Sequence, residues 1–370
     1  MCDKKWAEDV LSKIANKVEA ECGRVKDGLP FIALEGRFEN YGKVDVSWWT
    51  NGFWGGILWQ LYNTTGNNTF RKVAEKLEET MDANFENFPC LHHDVGFMWS
   101  HTAVANYRLT GNEKSLHRGL HAASVLAGRY NPVAKFINAW NAPQMCYMIV
   151  DCMMNLPLLY WAKDINDLGY YEHIAKEHAD KTLNTLVRGD GSVHHMSIMD
   201  PITGAALEFP MGQGYESGSS WSRGHGWAIY GYALSYRYTK EVRYLDAAKN
   251  VAHYFMANIA KEGYIPLIDF RAPKEPKLYD TSAGLTAACG MLEIAEYVGE
   301  HEKALYEDTA KNIVHAIAEK YADYNPDTDG LVGGASESYN GPHIHVPIIY
   351  GDYFFVEAVL RLAGKHFMIW

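Results

Sequence analysis

Along the chain, segments that are apolar on every side alternate with segments whose apolar residues recur at three- and four-residue steps. The first kind covers 52–63, 98–109, 149–163, 226–238 and 283–298. The second covers 70–84, 114–129, 171–186, 244–259 and 304–321, with Val73, Leu77 and Met81 typical of its single apolar stripe. Short polar breaks join each apolar segment to the one-sided segment that follows: Thr65-Gly66-Asn67-Asn68, Thr110-Gly111-Asn112-Glu113, Asp167-Leu168-Gly169, Thr239-Lys240-Glu241 and Gly299-Glu300-His301. A one-sided helix over 5–21 opens the pattern and an apolar helix over 350–363 closes it, which gives twelve helices. A helix apolar all round must be buried on every side, whereas a one-sided helix keeps water at its back. Six inner helices ringed by six outer ones satisfy both demands. The opening outer helix and the closing inner helix complete the sixth pair. The pattern therefore predicts an all-α toroid of six helical hairpins, one unit over 1–370. An open solenoid would need polar terminal caps, and the last helix is too apolar for one.

This topology also sorts the loops. Stretches rich in glycine, histidine and aspartate fall where an outer helix hands over to the next inner one, at 48–53, 92–98, 140–150, 212–226, 280–283 and 340–353. All six emerge on one rim, and the short breaks lie on the other. Function is expected on the first rim, where loops can vary without disturbing the rings.

Composition then narrows the partner. The net charge is −11 and no Lys/Arg run occurs, which argues against nucleic acid. A small anionic ligand stays compatible, because one well-placed arginine in a cleft outweighs the global field. Eleven Trp and 24 Tyr, many beside Gly and His, suit surfaces that stack on sugars as well as cores. No apolar run reaches the length of about 18 residues that a membrane span needs. The six cysteines, Cys2, Cys22, Cys90, Cys146, Cys152 and Cys289, form no C-x-x-C pair, so reduced thiols in a cytoplasmic protein are expected. A periplasmic location is the alternative if a signal peptide was removed. A monomer or weak homo-oligomer is expected.

Two aspartates stand out. Asp94, in Leu91-His92-His93-Asp94-Val95-Gly96, precedes an apolar helix, where an N-cap role is the plain alternative to chemistry. Asp151 lies within the start of one of the most apolar helices expected, where a carboxylate must be neutralised, paired or held for a purpose. Burial there is expected to raise its pKa and suit it to general-acid work. On successive inner helices the two face each other across the mouth. A third constellation runs from Gly212-Gln213-Gly214-Tyr215 to Ser219-Ser220-Trp221-Ser222-Arg223-Gly224-His225-Gly226-Trp227. Its arginine suits a bidentate pair with a substrate carboxylate, and its tryptophans suit the walls of a sugar site. A glycine- and serine-rich helix lead-in with no ligand is the competing reading. The histidine clusters His92-His93, His194-His195 and His343-x-His345 lack zinc-site spacing, and no phosphate loop or dinucleotide fingerprint occurs. Neither metal nor cofactor is therefore expected.

The strings HHDVGFMWS, FINAWN, IVDCMMNLPLLYWA, GQGY, SSWSRGHGWAIYGYALSY and YGDYFF resemble the unsaturated glucuronyl hydrolases of glycoside hydrolase family 88, over about 48–355. The resemblance implies an (α/α)6 barrel and hydration of the C4=C5 bond of a 4,5-unsaturated uronic acid at the non-reducing end of lyase products. It implies Asp151 as the acid/base and Asp94 as the second carboxylate. It further implies substrate contacts from His93, His195, Gln213 and Arg223, with Trp49, Phe53, Trp140, Trp221 and Trp227 lining or stacking on the sugar. The family usually has Gln at the position of His225. The Ser-x-x-Ser-x-Lys pattern of members that prefer sulfated substrates is replaced here by Tyr339-Asn340-Gly341-Pro342-His343-Ile344-His345-Val346. Unsaturated rhamnogalacturonyl hydrolase and a non-catalytic sugar-binding toroid are the alternatives.

Overall fold

A computed structural model of the chain describes residues 2–142 and 145–370. Six of its helical segments are buried on nearly all sides: Phe53–Thr65, the run 95–110, Leu156–Asn166, Ser222–Thr239, Thr281–Ala295 and Ile349–Ala363. Each packs on the next, and the last packs back on the first, so the inner ring closes. The one-sided helices Cys2–Val25, Asn68–Thr80, Glu113–Ala127, Gly169–Leu186, Val242–Ile259 and Glu300–Tyr321 form the outer ring. Cys2–Val25 lies against Ile349–Ala363, making the pair that joins the two ends of the pattern.

The recurring breaks have a common construction. Thr65 and Thr110 each bond their hydroxyl back to the carbonyl four residues earlier, and each then accepts the N–H of the asparagine two residues on. Gly66 and Gly111 take the left-handed conformation, with φ of +69° and +71°, that ends the inner helix. Asn67 and Asn112 then cap the outer helix by accepting backbone N–H groups of its first turn. The Thr239 hydroxyl repeats the arrangement with Ser235 and Glu241.

Three features depart from the expected pattern. The stretch 149–163 is not one helix: it divides into the strand Cys146–Ile149, a 3-10 turn Val150–Met154 and the helix Leu156–Asn166. Pro157 explains the late start, since it fits only the first turn of a helix. The functional rim also carries small antiparallel sheets, of which Cys146–Ile149, Met196–Met199 and Ala206–Glu208 form the largest. The run 95–110 contains one π-helical turn, Ser100–Val104, where the chain bulges around the buried His101.

The interior of the barrel is aromatic. Phe53, Phe97, Trp227, Tyr353 and Phe354 meet near the axis. From the side away from the functional rim, the segment 365–370 folds back and seats Trp370 against His101, with ring centroids 4.4 Å apart. The Trp370 indole N–H donates to Glu357, and Arg108 binds three carbonyls of that segment.

Candidate active site

A cleft of about 290 Å³ opens on the functional rim, and residues from four of its six loops line it. Asp94 occupies the N-cap position of Val95–Trp99 but makes no capping bond. Its carboxylate turns back instead. One oxygen lies 3.2 Å from His92 Nδ1 and 3.3 Å from His93 Nε2, and the other accepts from Asn155 Nδ2 at 3.2 Å. Burial alone would raise its pKa, but His93, His92 and Asn155 together outweigh burial and hold the carboxyl below its ordinary value. Burial pushes His93 down to about 4 against the pull of Asp94, so its ring is neutral near pH 7.

Asp151 is placed by β-register. Ile149 pairs with Met196 across the antiparallel strands, and Val150 N–H donates to the His195 carbonyl at 3.0 Å. That register leaves His195 Nε2 3.5 Å from Asp151 Oδ1. The carboxylate thus projects from a 3-10 turn, not from an apolar helix, and its side chain is 15% exposed. The expectation of a sealed acid gives way to one of a half-buried acid at the cleft floor. Asp151 Oδ1 makes no hydrogen bond with the protein.

The second loop of this wall fixes the tautomer of His195. Its Nδ1 accepts the Gln213 backbone N–H at 3.0 Å, so in the neutral ring the proton sits on Nε2, facing Asp151. The approach is possible because residue 212 is glycine: φ is +59° and a Cβ would overlap the imidazole. Gln213 Nε2 donates to the Glu337 carbonyl at 2.7 Å. Two aromatic faces complete the cleft: Trp140, 36% exposed and backed by Tyr147, and Trp49, stacked on Tyr350.

Four residues expected to touch the ligand lie outside the cleft. Arg223 is 1% exposed, with Nη1 bonded to Asp280 at 2.6 Å and to the Ser336 carbonyl at 2.7 Å, and Nη2 to the Glu337 carbonyl at 2.6 Å, while its buried Nε has no partner. It holds the 336–337 backbone, and through it Gln213. Trp221 is buried between this guanidinium and the His195 ring, which it supports at 4.3 Å. Phe53 and Trp227 have no exposed surface and belong to the aromatic core beneath Trp49. Phe53 and Trp227 pack on apolar partners in that core, which a linear pattern does not reveal.

Other positions resolve as plainly. His225 is a satisfied core residue, accepting Val193 N–H at Nε2 and bonding the Trp221 carbonyl through Nδ1. His194 faces away from the cleft and stacks on Phe209. His345 accepts Tyr279 N–H, whereas His343 lines a second cavity of about 260 Å³ that shares Trp48 with the cleft. Sequence reasoning missed Trp48 and Asn155. The Trp-Trp pair marked the first, but nothing in a run of apolar residues marked the second. Donor atoms of His92, His93 and Asp94 come within 4.8 Å of one another. Both imidazoles converge on a single oxygen of the Asp94 carboxylate.

Among the described residues no helix is long and apolar enough to cross a membrane, and the five described cysteines form no disulfide. No family model matches the chain. It is 37% identical over 326 residues to an unsaturated glucuronyl hydrolase from Bacillus sp. (strain GL1), covering 85% of this chain and 86% of the relative. It is 30% identical to an unsaturated chondroitin disaccharide hydrolase from Streptococcus pneumoniae (strain ATCC BAA-255 / R6), over 99% of this chain and 94% of the relative. The crystal structure of the unsaturated glucuronyl hydrolase from Bacillus sp. GL1 superposes with a TM-score of 0.91 at 33% identity, covering 96% of each chain. A mutant from Streptococcus agalactiae, complexed with dGlcA-GalNAc6S, superposes at 0.85 with 27% identity, over 99% of this chain and 94% of that one. With its closed (α/α)6 barrel, its carboxylate-lined cleft and this degree of identity over most of its length, the chain belongs to the unsaturated glucuronyl hydrolases, a family of glycoside hydrolases.

Proposed function

We propose that this chain removes 4-deoxy-4,5-unsaturated glucuronic acid from the non-reducing end of lyase-generated oligosaccharides, including glycosaminoglycan disaccharides, and that Asp151 is its acid/base. The observation that carries this reading is the pairing in one cleft of a tethered carboxylate with a free one. Asp94 is engaged at both oxygens and held below the ordinary carboxyl range, which suits a fixed acceptor for ring hydroxyls. Asp151 keeps an uncommitted oxygen beside His195.

Asp151 donates its proton to C4, and the C4=C5 π-electrons form the new C–H bond. The resulting cation at C5 is stabilised by the ring oxygen. Water adds at C5 and returns a proton to Asp151, leaving a hemiketal that opens and releases the neighbouring sugar. His195 Nε2–H stabilises the Asp151 carboxylate between the two proton transfers. One residue cycles through both roles, unlike the two fixed carboxylates of an ordinary glycosidase. Trp140 and Trp49 offer faces for the planar, unsaturated ring. The curated relatives favour this reading over rhamnogalacturonyl hydrolysis.

The leaving sugar is placed over Trp48, in the cavity lined by Phe31, Tyr41, Glu39, Glu337 and His343. Among the described residues no lysine or arginine lines it, so sulfate there meets two carboxylates with only His343 as a basic neighbour. An unsaturated disaccharide without sulfate is predicted to turn over about tenfold faster than its 6-sulfated counterpart. The same assay, loss of ultraviolet absorbance of the unsaturated uronide, tests the reaction class. A matched saturated glucuronide should be left intact, and its cleavage would show attack at the glycosidic carbon instead.

A further inference from the structure

We infer that Asn155 is a positioning residue that locks the two carboxylates of the active site into one geometry, an inference that rests on the reading of Asp94 and Asp151 above. Asn155 has no exposed surface. Its Nδ2 donates to Asp94 Oδ1 at 3.2 Å and to the Asp151 carbonyl at 3.3 Å, so one amide group spans the side chain of one aspartate and the backbone of the other. Its Oδ1 accepts Phe97 N–H at 2.8 Å, one of the free N–H groups in the first turn of the helix that follows Asp94. Every polar function of this amide is therefore committed to the two segments that carry the carboxylates.

The surroundings are cut to admit it. Gly96 faces Asn155 so closely that a Cβ would come within 2.5 Å of its Cα and 2.6 Å of its Oδ1. Asn155 itself stands at the joint between the 3-10 turn that carries Asp151 and the helix Leu156–Asn166. Pro157 fixes the start of that helix. The backbone on both sides of the contact is thus held, and the amide cannot drift from either aspartate without breaking the Phe97 bond.

The isostere Asn155→Asp separates positioning from mere support. A carboxylate keeps an acceptor for Phe97 N–H but loses the donor and faces Asp94 with like charge. A purely structural role would leave Asn155→Asp close to the parent and impair only Asn155→Ala. A positioning role impairs both, lowering kcat about 10- to 100-fold with a smaller change in KM. It also moves the acid limb of kcat/KM upward by about one pH unit in Asn155→Asp. Carboxyl-carbon NMR titration of Asp94 in the parent and Asn155→Asp reads the same coupling without any substrate. An Asp94 midpoint displaced upward supports the inference even if unsaturated uronides prove not to be substrates. An unmoved Asp94 midpoint, together with an unmoved pH profile in an active Asn155→Asp enzyme, overturns it.

Discussion

His195 can assist Asp151 only while its Nε2 carries the proton, and the Gln213 backbone N–H enforces that tautomer from the other side of the ring. Gly212 makes the contact possible, since any Cβ there would push the imidazole away. Gly212→Ala is therefore predicted to lower kcat/KM about 10²-fold, a displacement of roughly 1 Å being enough for such a loss. A near-parental rate would show that His195 tolerates displacement. At this scale the sequence was most informative about charge in apolar company. Asp94 and Asp151 were legible because carboxylates at the lips of apolar segments need a reason. The internal bonds of Arg223 were not legible, because a guanidinium that binds two backbone carbonyls looks, in sequence, like one that binds a ligand. Asn155 was invisible, because its role depends on a contact with Asp94 across 61 positions of the chain.

Between elements, the inner helices meet through a buried ion network at the end of the barrel away from the cleft. Arg361 pairs with Glu293 at 3.1 Å and with Glu357 at 3.0 Å, and it donates to Tyr230, whose hydroxyl bonds Glu357. Three of the six inner helices contribute to this cluster, and Trp370 caps it through Glu357. Removing the one cation common to both glutamates strips Glu357 of its arginine partner and leaves Glu293 with Arg237 alone, at 2.8 Å. Arg361→Met is predicted to cost about 3–5 kcal/mol in denaturant unfolding, and a loss below about 1 kcal/mol would contradict the account. Helix identity was legible here from the alternation of apolar and one-sided segments. The strand pairing that places Asp151 beside His195 was not. A short run such as Cys146–Ile149 is apolar in either conformation, and only its pairing with Met196–Met199 marks it as a strand.

For the molecule as a whole, ring closure carries a pH dependence. Glu21 and Asp352 are buried where the first outer helix meets the last inner one. Burial, reinforced by the Asp352 charge, pushes Glu21 up to about 8. Burial pushes Asp352 up to about 7 despite backbone hydrogen bonds from Leu331 and Val332. In the unfolded chain both titrate near their ordinary values of 4.5 and 3.8, so the folded state holds more protons between those values and about 7–8. The stability they contribute is complete below the unfolded values and is lost as pH rises through the folded ones. Melting temperature is predicted to fall from about pH 6 to about pH 9, and Glu21→Gln to flatten that fall. An unchanged slope in the variant would place the titration elsewhere.

The toroid gathers its chemistry on one rim, and within that rim Asp151 is assigned both proton transfers. The most direct test is the initial rate at which purified parent and Asp151→Asn consume an unsaturated glucuronyl disaccharide, followed by loss of its ultraviolet absorbance. The assignment predicts a rate lower by about 10²–10⁴ in a variant that melts with the parent. An Asp151→Asn protein that consumes substrate as fast as the parent would contradict it.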